Sequence, residues 1–96
     1  MLPKNRKPSH PGELLKDLYM EPLGLTQQAL ADHLGCTRAA ISEIVNGRRG
    51  ISPEMALKLA DAFNTSPEFW ENLQVDYDLY KARQKHKPIP PIKISA

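Results

Sequence analysis

Arg38, Ala39, Ser42 and Glu43 stand at i, i+1, i+4 and i+5 of the segment TRAAISEIVNG, residues 37–47. On a helix that spacing places all four side chains on one face. Such a face can read the edges of base pairs. Arg38 lies at the N-terminal end, where it can donate two parallel hydrogen bonds to guanine O6 and N7. A contact of that kind discriminates by ~1–3 kcal/mol. Ala39 is short enough to meet a thymine methyl. Ser42 and Glu43 follow one turn on. Glu43 can accept from a cytosine amine, or it can hold Arg38 or Arg48 in place, since a carboxylate facing DNA costs affinity.

A second set has the chemistry of phosphate contacts, which position a protein without reading sequence. Gln27 and Thr37 each open a predicted helix, where unpaired backbone N–H groups favour an anion. Asn46 ends the candidate reading helix, and Arg48 and Arg49 follow it in a connecting loop, where the alternative is simple solvation. Lys4, Arg6 and Lys7 make a basic arm able to reach a neighbouring groove.

Other chemistries find no support. His33 and Cys36 lie three apart, while His10 and His86 lie elsewhere, which is no zinc pattern. No nucleophile elbow, phosphate-cradling glycine loop or HExxH sequence is present. No catalytic residue, metal or cofactor is therefore expected. A single cysteine excludes an intramolecular disulfide, and a buried, inert thiol is expected of Cys36.

The elements that must hold these side chains are helices at every step. Ser9-His10-Pro11-Gly12-Glu13 opens the first, with an apolar stripe at Leu14, Leu15, Leu18 and Tyr19 ended by Pro22 and Gly24. Thr26 caps a second, and Gly35 ends it. Thr37 caps a third, ended by Asn46-Gly47. Ser52-Pro53-Glu54 starts a fourth, with Met55, Ala56, Leu59, Ala60 and Phe63 on one face. Ser66-Pro67-Glu68 starts a fifth that runs to about residue 81–84. No segment alternates like a strand. The expected organisation is a basic arm over 1–9, an all-α domain over 10–84, and a proline-rich extended or disordered tail over 85–96.

Charge is segregated along the 96 residues although the net charge is only +2. Residues 37–50 carry Arg38, Arg48 and Arg49 against Glu43, and residues 51–80 are strongly acidic. Residues 81–96 are wholly basic among their charged side chains. A basic middle in a near-neutral chain suits a polyanion-binding face with a different surface elsewhere. The composition is that of a globular chain with one modest core, without an apolar run of the ~20 residues that span a bilayer. The cytoplasm is the expected location, with no membrane contact.

The pattern TQxxLAxxLGxxxxxISxxxNG, residues 26–47, resembles the repressor-type helix-turn-helix family of the phage repressor and Cro lineage. Gln27, Ala31, Gly35, Ile41, Ser42 and Gly47 occupy that family's places. HPGELL, EPLGLTQQALA, ISEIVNGRRGIS and TSPEFWENLQVDYDL together are similar to the HigA-type antitoxins, also known as virulence-associated protein I. The resemblance implies a five-helix, lambda-repressor-type domain acting as a homodimer on a palindromic double-stranded DNA operator. It also implies a partner toxin of the RelE-like, mRNA-cleaving class encoded by an adjacent gene. The aromatic stripe of the fifth helix is expected to divide its work. Phe69 and Leu73 supply core, and Trp70, Tyr77 and Tyr80, with Leu73, form a dimer seam. Two alternatives remain at this stage: a repressor of the same fold without a toxin partner, and an interaction module that does not bind DNA.

Overall fold

The computed structural model describes residues 7–93. Lys4 and Arg6 of the basic arm and residues 94–96 of the tail lie outside the described residues. Five helices follow one another, and no strand occurs among the described residues. None of these helices is long and apolar enough to cross a membrane.

The first helix, α1, begins as one α-helical turn, Pro11–Leu14, and continues as a π-helical stretch, Leu15–Met20. His10 caps it: the imidazole Nδ1 accepts from the Gly12 N–H at 2.9 Å. Farther along, the Glu21 N–H donates to the Lys16 carbonyl and the Leu25 N–H to the Met20 carbonyl, each five residues back at 2.9 Å. This wider turn corrects the expected stripe. In a π register residues five apart share a face, and Leu15 and Met20 are the two that are buried. Leu18, placed inward by α-helical spacing, is 60% exposed.

Helices α2, Gln27–Leu34, and α3, Arg38–Val45, form the helix-turn-helix. Thr26 Oγ1 accepts from the Ala29 N–H at 3.0 Å, and Thr37 Oγ1 from the Ala40 N–H at 3.1 Å. Between the helices, Gly35 takes the left-handed conformation (φ 74°, ψ 37°), which a Cβ would oppose. Helix α1 crosses α3 at Gly12, where an added Cβ would overlap the Ile44 carbonyl. Glycine is required there for space.

Helices α4, Pro53–Phe63, and α5, Pro67–Lys85, close the core. Ser52 and Ser66 cap them in the same manner as the threonines cap α2 and α3. Tyr19, Phe63, Phe69 and Trp70 meet where α1, α4 and α5 converge. Tyr19 packs on Phe63 and Trp70 with ring centroids 5.0 and 5.3 Å apart. Trp70 is completely buried, and its Nε1–H donates to Thr65 Oγ1 at 2.8 Å. This corrects the seam assignment for Trp70, which is a core residue of its own chain. Phe69, expected in the core, lies edge-on to Trp70 and is 37% exposed. Leu73 is partly buried against the core. From Lys81 onward every described residue is exposed, and residues 86–93 carry no regular secondary structure.

Two consequences can be measured. Gly12→Ala is expected to lower unfolding stability by about 2–3 kcal/mol through overpacking against α3, read as a lower urea midpoint with unchanged slope. His10 is nearly buried, and burial pushes its pKa below the ordinary value of 6.5. The fields of Asp78 and Glu13 oppose that shift and Lys81 adds to it. The folded chain therefore binds this proton less readily than the unfolded chain. Stability is fully present above pH 6.5 and is lost as the pH falls from there through the folded value. His10→Asn, which retains a capping side chain without the titration, is expected to flatten that acid limb in urea titrations across the range.

Candidate nucleic-acid interface

Helix α3 is only eight residues long and is amphipathic in the required sense. Ala40, Ile41 and Ile44 are buried, while Arg38 and Ala39 are exposed and Ser42 and Glu43 half-exposed. The inward positions are set by Ile41 and Ile44, so Arg38, Ala39, Ser42 and Glu43 emerge together on the other face. The structure thus brings Arg38, Ala39, Ser42 and Glu43 onto one surface, in the order expected from their spacing.

The phosphate candidates surround this surface. Thr37 uses its oxygen as a helix cap, which leaves the hydroxyl proton to donate elsewhere. Asn46 Nδ2 donates back to the Ser42 carbonyl at 2.9 Å and to Ser42 Oγ at 3.3 Å, so it is tied to the end of α3. Gln27, half-exposed, occupies the first position of α2, and its neighbour Gln28 is engaged with Asp32 at 2.8 Å. Arg48 and Arg49 are exposed in the loop after α3. Their N–H groups both donate to the Glu43 carbonyl, at 2.8 and 3.2 Å, which folds the loop back over the helix end.

Glu43 is engaged differently from either expected partner. Its Oε1 accepts from Arg49 Nη2 at 2.9 Å, so Arg49, not Arg38 or Arg48, holds it. Among the described residues this is the single ion pair. Arg38 and Arg48 therefore have no carboxylate partner there and present uncompensated positive charge. Both members of the Arg49–Glu43 pair are about half exposed, so the pair adds little stability. Its effect is on the local field. It neutralises one arginine on a face that otherwise favours anions.

No cluster of His, Cys, Asp and Glu suited to a metal is found among the described residues. His33 is exposed and borders a surface hollow with Lys58 and Asp61. Cys36 is a free, partly buried thiol packed against the core.

Three residues support this face in ways that their positions in the sequence do not announce: Gly12 beneath Ile44, His10 beside Gly47, and Gln74. Gln74 reaches from α5 to accept from the Ile51 N–H at 2.8 Å. A signal for the last existed. Gln74 stands four residues after Trp70, on the inward side of α5, where a polar side chain needs a partner.

Comparison with known proteins places this geometry. The family model described as Helix-turn-helix matches residues 17–70. The chain is 46% identical over 91 residues to virulence-associated protein A of Dichelobacter nodosus, spanning 90% of this chain and 89% of that protein. It is 40% identical to antitoxin HigA-1 of Vibrio cholerae, over 85% of this chain and 77% of the relative. Among solved structures, Pseudomonas aeruginosa antitoxin HigA with the higBA promoter superposes with a TM-score of 0.80 at 36% identity. That likeness covers 88% of this chain and 99% of the other.

The Glu43 pair supplies a test of the face. Glu43→Gln is expected to leave stability within about 0.5 kcal/mol of the parent. It is also expected to raise affinity for a promoter duplex a few-fold at low salt. Fluorescence anisotropy across a salt series reads both affinity and slope. A fall in affinity would instead assign the carboxylate a contact made in the complex.

Proposed function

The chain belongs to the helix-turn-helix family and to its HigA-type antitoxins, and from that premise we propose that it represses its own operon and neutralises the toxin encoded beside it. The members of this family are DNA-binding regulators and antitoxins, not enzymes. The observation that carries the proposal is the outward face of α3. Four side chains of base-reading type sit on a buried Ile41–Ile44 rib, and one of them, Arg38, together with Arg48 in the following loop, lacks a carboxylate partner among the described residues. In this reading Arg38 discriminates guanine, Ala39 and Ser42 complete the base contacts, and Gln27, Thr37, Asn46, Arg48 and Arg49 take phosphates. Glu43 tempers the charge of Arg49.

One such helix makes too few contacts for useful specificity. A two-fold dimer placing two α3 helices ~34–36 Å apart on one DNA face supplies the rest, which implies a palindromic operator. The seam we assign to α5 uses Leu73, Tyr77 and Tyr80. The buried Trp70 takes no part in it, and Val75 and Leu79, 48% and 43% exposed, lie on the other side of α5. The acidic first half of α5 and the basic second half complement each other when two copies run antiparallel. The partner toxin is of the RelE-like, mRNA-cleaving class. A chain that acts on DNA and on such a toxin works in the cytoplasm. Residues 1–9 serve as an arm, residues 10–84 as the DNA-binding domain, and residues 85–96 as a tail.

The two activities separate genetically. Expression of the adjacent open reading frame is expected to stop growth, and co-expression of this chain to restore it. Arg38→Ala is expected to lose ~1–3 kcal/mol of operator discrimination and so to derepress a promoter reporter, while still restoring growth. A harmless neighbour would reduce the function to a repressor alone. An unchanged reporter would remove Arg38 from the base contacts.

A further inference from the structure

The loop that carries Arg48 and Arg49 is held at two ends. At its start, both arginine N–H groups donate to the Glu43 carbonyl. At its end the chain turns inward at Gly50 and buries Ile51 in the core. There the Ile51 N–H donates to Gln74 Oε1 at 2.8 Å, a contact across 23 residues of sequence. The same amide lies against Gly50, where an added Cβ would come within 3.0–3.1 Å of it. On its far side Gln74 Nε2 donates to Asp78 Oδ1 at 2.9 Å, which fixes which way the amide faces. A half-buried glutamine of α5 thus determines where the arginine loop ends. The backbone N–H it accepts from has no regular helix bond to fall back on, because Ile51 precedes α4.

We propose that Gln74 is a positioning residue for DNA binding: through Gly50 and Ile51 it sets where Arg48 and Arg49 meet the phosphate backbone. The inference rests on the DNA-binding reading above. It adds that the C-terminal helix contributes to that face through one side chain. Phosphate contacts fix register, so a loop released at its inner end loses affinity without losing sequence preference.

The test uses the full chain and two duplexes: the promoter region immediately upstream of its own coding sequence, and a scrambled duplex of equal composition. Gln74→Met keeps the length of the side chain and removes the acceptor. Gln74→Glu with Asp78→Asn keeps an acceptor for the Ile51 N–H and exchanges donor and acceptor with position 78. Q74M is expected to bind both duplexes about three- to tenfold more weakly. Its dependence of log affinity on log salt should be shallower by about one unit. The double variant is expected to recover the parent affinity and slope. Thermal melts establish that each chain is folded at the assay temperature. Should Q74M fail to fold, Gly50→Ala presses the same amide from the loop side and is read in the same way.

A folded Q74M with the parent's salt slope would overturn the proposal, even if its melting temperature fell. So would a folded double variant as weak as Q74M. If the parent chain itself shows no salt-dependent DNA binding, the functional reading fails together with this one. Parent binding with an unaltered Q74M removes the positioning role alone.

Discussion

The carbonyl of Ile44 lies against Gly12, with no room between them for a single Cβ. An eight-residue helix is not stable alone in water, so α3 exists because its inner face is held. Ile41 and Ile44 are fully buried, and α1 and α2 pack around them. Gly12 allows α1 to approach backbone to backbone, and His10 caps α1 at that point of approach. If α1 were lifted by the thickness of a methyl group, Ile44 would lose its cover. The outward face would then lose its fixed direction. The proposed reading face is the reverse side of this contact.

Electrostatics then adjust what packing has presented. The chain is close to neutral, yet α3 carries Arg38 at its start and is followed by Arg48 and Arg49 in the loop. Glu43 occupies one of the three at 2.9 Å. A half-exposed pair of this kind is worth little as a stabilising interaction, but it lowers the charge available to a polyanion and holds Arg49 to the helix. On the proposed reading, the pair leaves the face moderately rather than strongly attractive to DNA. That suits binding in which base contacts decide where the protein rests.

Much of this was legible in the residues. Thr26, Thr37, Ser52 and Ser66 announce four helix starts because a short hydroxyl side chain satisfies an N–H that the helix cannot. Arg38, Ala39, Ser42 and Glu43 share a face because Ile41 and Ile44 lie on the other. The failures have physical causes. A 3.6-residue period puts Leu18 inward, but α1 widens to a π register after Leu14, and Met20 takes the inward place. Trp70 is assigned to the seam and Phe69 to the core by sequence because adjacent positions on one helix do not reveal which ring meets Tyr19. The Glu43 partner depended on how the loop folds back, a backbone matter that charge pattern does not encode. Gln74 pairs with Ile51 across 23 residues, and no local period reports so distant a contact.

The central claim is that the outward side of α3, with its flanking helix start and loop, is where this chain meets DNA. Amide chemical-shift mapping with the promoter duplex upstream of its own gene tests that claim most directly. The account predicts shifts concentrated at residues 26–28, 37–39, 42–43 and 46–51, diminished by salt and weaker with a scrambled duplex. Shifts confined to α5 and the tail, or an unperturbed α3 in a chain that binds the duplex, would contradict it.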